Sequence, residues 1–163
     1  MLLRYLVPLL LAAAAATTTA TATFVLEEAT IESIHRAFAD GALTSRGLLE
    51  LYLRRIASLD PALHAVVELD ADGALAAADR ADAARLLGGA ALPPLHSIPV
   101  LIKDNIVAAG ASNATAGSLA LVGSRPARDA GVVEWLRRAG AVILGTASLS
   151  EWCNFRAPGV PAG

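Results

Sequence analysis

Two unbroken apolar runs constrain this chain more than any other feature: "IPVLI" at Ile98–Ile102 and "AVIL" at Ala141–Leu144. Neither alternates polar with apolar residues. Such runs belong to strands buried on both faces, as in a parallel sheet. Between them "AGVVEWLRRAG" reads as a helix. Asp129 is placed to cap it, Val132, Val133, Leu136 and Ala139 to face a core, and Gly140 to end it. Strand, helix and strand in that order predict an α/β fold. Ligands of open parallel sheets sit beyond the carboxyl ends of the strands. Lys103 follows directly on the first run. Gly145, expected to open a turn, and Thr146 follow the second.

The preceding chain adds helices and one more strand. Thr30 caps "IESIHRAFADG", where Ile31, Ile34 and Phe38 recur at helical spacing before Gly41. Thr44 or Ser45 starts "RGLLELYLRRIASLD", with Pro61 as its expected end. "HAVVEL", His64–Leu69, reads as a strand. Asp72 is the expected cap of an alanine-rich helix reaching Leu87, stopped by Gly88 and Gly89. Ser148 or Ser150 starts a final turn, "SEWCNF".

The chain is 55% hydrophobic and 17% charged, which excludes a disordered polymer. A net charge of -2 and an aromatic content of 4% give no footing for nucleic acid. Cys153 is the single cysteine, so neither an internal disulfide nor a multi-cysteine metal site can form. His35, His64 and His96 are scattered, and no metal is expected.

"MLLRYLVPLLLAAAAATTTATA" has the layout of a signal peptide. Arg4 is the positive start, Leu6–Ala16 an apolar stretch short for a membrane span, and Ala20 and Ala22 a cleavage pattern. Residues 1–22 are therefore expected to be removed, leaving 23–163 secreted, with no stable membrane anchor. An uncleaved leader tethering an interaction domain is the alternative.

Lys103 ends a buried-type strand and is followed by Asp104 and Asn105, turn formers whose side chains can bond backbone amides. An amine stripped of water loses its proton more easily and can serve as a general base. A lysine can also activate a serine in place of histidine and aspartate. A plain surface lysine is the competing reading.

"LHSIPVLIKDNI" together with "ATAGSLALVGSRPARDAGVVEWLRRAGAVILGTASLSEWCNFR" resembles the N-terminal part of the amidase signature family. The resemblance runs from about Thr44 to Arg156. It implies a partial α/β/α sandwich, a mixed sheet covered by helices, with residues 23–163 forming the N-terminal part of one amidase domain. It implies hydrolysis of small-molecule amides by a Ser-cisSer-Lys triad with no cofactor. Lys103 would be the triad lysine, and Asp104, Asn105, Thr115, Gly117 and Ser118 would support the active-site loop. With the leader, it points to a secreted or vacuolar member of the kind common in fungi.

The family's two serines lie in a glycine- and serine-rich segment downstream of the matched region, and "APGVPAG" carries none. Ser148 and Ser150 belong to the "SLSEW" motif and read as helix caps, so no nucleophile is named. The alternative is a non-catalytic truncated product or pseudoenzyme of the same fold. Ser97 stands where the family has glycine, and Thr146 and Ser148 where it has lysine and asparagine. "NAT" makes Asn113 a candidate N-glycosylation site. By the resemblance Thr115 belongs to a loop lining the active site, which a glycan would obstruct. A thiol–imidazole pair of Cys153 with His96 is disfavoured, because nothing in the sequence fixes the two together.

Overall fold

The computed structural model describes residues 24–88, 92–110 and 113–150. The leader, Gly89, and the final turn with Cys153 lie outside the described residues. Four helices and three strands follow in the order α1 (Ile31–Ala39), α2 (Ser45–Leu63), β1 (Val66–Leu69), α3 (Ala71–Leu87), β2 (Pro99–Lys103), α4 (Gly131–Arg138), β3 (Val142–Ala147), with a 3₁₀ turn at Leu119–Leu121. The sheet order is β1-β3-β2. β2 runs parallel to β3 and β1 antiparallel to it, which makes the expected mixed sheet.

Local chemistry accounts for most helix ends. The Thr30 side chain accepts from Ser33 N, and the Thr44 side chain from Gly47 N. Pro61 does not end α2, contrary to the expectation from sequence. The two residues after it continue the turn through bonds that need no proline N–H. His64, in the left-handed region at φ 49°, then closes the helix, and the Asp60 carboxylate collects Ala65 N and Val66 N. Strand β1 accordingly starts at Val66, two residues later than expected.

Other expectations shift by a residue or two. Asp70, not Asp72, caps α3, accepting from Gly73 N. Asp129 does not cap α4. Its carboxylate accepts from Ala109 N and from Arg137 Nε, two turns along, and Ala130 occupies the cap position. Of the residues assigned to the core face of α4, Val133 is fully buried while Val132 is 49% exposed. Gly145 opens no turn. It lies inside β3, where β1 passes so close that a Cβ on Gly145 would meet Glu68 O and would stand 3.0 Å from Leu69 Cα. Gly145 and Thr146 are therefore strand residues rather than post-strand loop.

One core joins Leu49 of α2, Ala74 and Ala78 of α3, and Val142 and Leu144 of β3. The two alanines, four apart on one helix face, let α3 lie close on the strand. A second core holds Ile34 and Phe38 of α1 against Leu48 of α2. Tyr52 packs against both and joins them. Burying a leucine such as Leu48 stabilises by about 1.5–3 kcal/mol. Among the described residues, no helix is long and apolar enough to cross a membrane.

Candidate functional site

The carboxyl ends of β2 and β3 lie side by side, with Lys103 paired to Ala147 on the last rung. The chain then turns: Asp104 N donates to Ala147 O at 3.1 Å, and Ile106 N to Lys103 O at 2.7 Å. Lys103 is exposed. No described residue gives its side chain a hydrogen bond or ion pair. The water-poor surroundings expected from the sequence are thus not formed by the described residues. Strand β2 turns Ile102 into the core, so Lys103, one residue on, takes the opposite face with the exposed Leu101.

Asp104 is the buried member of the turn, 2% exposed. Its carboxylate accepts from Thr115 N at 3.2 Å, from Gly117 N at 3.3 Å and from the Thr115 hydroxyl. Its carbonyl accepts from Ala116 N at 3.3 Å. Ala116 and Gly117 are both left-handed, at φ 48° and 71°, and their N–H groups go to the Asp104 carbonyl and carboxylate respectively. Ser118 is buried, and its N–H donates to Thr115 O. The structure therefore brings Lys103, Asp104, Thr115, Gly117 and Ser118 into one corner, with Asn105 exposed in the turn.

Asn113 enters this corner from the other side. Its N–H donates to Glu68 Oε2 at 2.7 Å, and its Nδ2 to Glu68 Oε2 and Oε1 at 3.1 and 3.3 Å. The nitrogen that would carry a glycan is thus committed to a carboxylate. Sequence reasoning missed Glu68. The available signal was an acidic residue alternating with Val67 and Leu69 along β1. Thr146, beside Glu68 on β3, is also buried, and its hydroxyl has no partner among the described residues.

A second cluster lies before the amino end of β2. Arg85 donates to Asp82 and to the hydroxyls of Ser45 and Ser97, and stacks 4.1 Å over Phe38. Beside it, a cavity of about 330 Å³ touches His35, Phe38, Arg85, Pro93 and His96. Burial and the Arg85 charge push His96 below its ordinary value. This cluster is remote from Lys103 in the strand direction and reads as structural. Among the described residues, no three His, Cys, Asp or Glu side chains gather to hold a metal ion.

The family model described as "Amidase" matches residues 47–157. A "Probable amidase" of Arabidopsis thaliana is 54% identical over 88% of this chain and 28% of its own length. The crystal structure of a peptide amidase from Stenotrophomonas maltophilia superposes with a TM-score of 0.74 at 47% identity, covering 81% of this chain and 27% of that one. That of an amidase family protein from Bacillus anthracis superposes with a TM-score of 0.76 at 32% identity, covering 83% of this chain and 27% of that one. The chain thus spans just over a quarter of the length of these relatives.

Proposed function

The chain belongs to the amidase family, and we propose on that ground that it supplies the lysine-bearing part of an amide-bond hydrolase acting on small amides. The observation that carries this reading is Lys103, which ends β2 at the carboxyl edge of the parallel pair beside a loop tied to Asp104. In the reaction, Lys103 accepts a proton from a bridging serine held on a cis peptide. That serine takes the proton of a second serine, whose oxygen attacks the amide carbonyl. Backbone N–H groups beside the nucleophile bind the oxyanion. Ammonia or an amine leaves with the transferred proton, and water then releases the acid. Both serines would come from a glycine- and serine-rich segment following the matched region. Asp104, Asn105, Thr115, Gly117 and Ser118 shape the wall beside the lysine, and no cofactor takes part.

Two further readings belong to the same proposal. The leader supports entry into the secretory pathway. N-terminal sequencing of the exported product should begin at Thr23, and a product retaining Met1 counts against it. A glycan on Asn113 would break its Nδ2 bonds to Glu68 and crowd the loop beside Lys103, so the sequon is expected to be bare in the folded chain. A mass shift at Asn113 on treatment with a peptide N-glycosidase would contradict this.

The test of the activity reads the transcript across the codon for Gly163 and then measures ammonia release from primary amides. Support is an in-frame continuation rich in glycine and serine, with hydrolysis abolished by Lys103→Ala. Lys103→Arg should not restore it, since a guanidinium cannot give up its proton to act as a base. A stop codon there, or an active Lys103→Ala protein, overturns the reading in favour of a non-catalytic product.

A further inference from the structure

We propose that Glu68 is a positioning residue for the segment beside Lys103, holding it from the strand opposite to the one that bears the lysine. The inference rests on the amide-hydrolase reading for its consequence, but its geometry stands apart from it. Consecutive backbone N–H groups of residues 113–117 all have acceptors. Asn113 N goes to Glu68, Ala114 N to Ser124 O, Thr115 N and Gly117 N to the Asp104 carboxylate, and Ala116 N to Asp104 O. The segment is therefore gripped by two carboxylates. Glu68 comes from β1 at one edge of the sheet and Asp104 from the end of β2 at the other.

The sheet register sets the distance between these grips. Glu68 pairs with Thr146 of β3, and Thr146 pairs in turn with Ile102 of β2. Glu68 thus sits on the rung immediately before the Lys103–Ala147 rung. The segment must bridge the carboxyl end of β3 to reach from one carboxylate to the other. It does so with Ala116 and Gly117 both at positive φ. A non-glycine residue such as Ala116 does not hold that conformation by its own preference, so fixed ends are needed.

The Asn113 side chain shows how strongly the Glu68 end pulls. Its Oδ1 is buried without a hydrogen-bond partner among the described residues. Turning the amide over would put that oxygen against the carboxylate oxygens and lose both Nδ2 bonds. The orientation kept is the one that satisfies Glu68 and leaves Oδ1 without a partner among the described residues. Bonds to a charged acceptor outweigh the unpaired oxygen, as charge-assisted bonds are about twice as strong as neutral ones. Without Glu68, the first residue of the segment has two donors and no fixed acceptor, and the Asp104 end alone must hold the strained turn.

The experiment compares Glu68→Ala and Glu68→Gln with the parent by amide hydrogen exchange, and by amide hydrolysis in the chain that carries the glycine- and serine-rich continuation. In Glu68→Ala, exchange at Asn113, Thr115 and Gly117 should accelerate by roughly tenfold or more, the factor expected for a lost bond to a charged group. The amides of the β1–β3 ladder should keep their rates. Glu68→Gln, which retains one acceptor oxygen, should fall between. In hydrolysis, kcat should drop in the same order. Acceleration confined to Asn113, acceleration of the ladder amides in parallel, or kcat unchanged despite a loosened segment would each overturn the proposal. A parent chain that hydrolyses no amide defeats the activity reading, and the exchange pattern then decides the positioning claim alone.

Discussion

Asp104 Oδ1 accepts the backbone N–H of Thr115, eleven positions on, at 3.2 Å, which closes a loop onto the residue after Lys103. The carboxylate is buried, and the groups around it are backbone N–H donors and a hydroxyl rather than a cation. Its stability therefore depends on those donors staying in place. Asp104→Ala strips acceptors from Thr115 N, Gly117 N and the Thr115 hydroxyl. Each buried donor left unpaired costs about 1–3 kcal/mol. The loop is partly open to water, so the expected loss is nearer about 3 kcal/mol than the sum. Asp104→Asn keeps a side-chain oxygen and should lose about 1 kcal/mol. Urea unfolding would rank the two variants, and equal midpoints would show that the loop does not depend on this carboxylate.

Ser97 carries two opposed effects that a pair of substitutions separates. It is 1% exposed and adopts φ 65°, where a side chain is strained. Its hydroxyl lies 2.7 Å from Ser45 Oγ, and Arg85 reaches both. Ser97→Ala keeps the strain and loses the bond. Ser97→Gly loses the bond but removes the strain, worth of order 1 kcal/mol. The glycine variant should thus be the more stable of the two by about 1 kcal/mol in urea unfolding. Reversed order would mean that the φ imposes no strain here.

Those two sites show what the sequence could and could not reveal. The apolar runs at Ile98 and Ala141 pointed to the parallel pair, because an unbroken run has nowhere to put a solvated face. The Thr30 and Thr44 caps were legible because they act on residues three positions away. The misreadings of Asp129 and Gly145 share one cause: a side chain or strand captured from a distance. Asp129 looks like a cap but bonds Ala109 N, twenty residues back, and Arg137, eight residues ahead. Gly145 looks like a turn but is required by the passage of β1. Glu68 could not be assigned a role from "HAVVEL", since its partner lies forty-five residues on. The exposure of Lys103 was likewise hidden, because an unbroken run implies cover on both faces, whereas the described residues bury Ile102 and leave Leu101 and Lys103 exposed.

Gly145→Ala tests the close passage directly. The added Cβ would meet backbone atoms of Glu68 and Leu69, which cannot rotate aside as a side chain can. Strand β1 must move or separate from β3. Overpacking of this kind costs about 1–3 kcal/mol. Because Glu68 rides on the displaced strand, exchange at Asn113 should accelerate in the same variant. A drop in thermal midpoint without that acceleration would mean that β1 adjusts elsewhere along its length.

His96 supplies a pH dependence whose sign follows from its surroundings. The ring is 7% exposed, its Nε2 lies 3.2 Å from Ala81 O, and His35 Nε2 reaches its carbonyl at 3.3 Å. Burial disfavours the imidazolium first, and the neighbouring Arg85 charge adds to it, so the folded chain holds His96 below the usual 6.5. The Asp82 charge acts the other way but more weakly. A base with a depressed folded value is protonated more readily in the unfolded chain. Its stabilising contribution is complete above 6.5 and is lost as the pH falls through that value toward the folded one. Urea unfolding should therefore show stability falling below about pH 6.5, by no more than tenfold in the folding constant per pH unit, the limit for one proton. Asp82 adds a loss in the same direction at lower pH. Although burial opposes it, N–H bonds from Ser45 and Arg46 hold its carboxyl below the usual 3.8. His96→Gln, which can still donate to Ala81 O, should flatten the upper slope and leave the lower one. If the upper slope survives in that variant, the proton is taken up by a group other than His96.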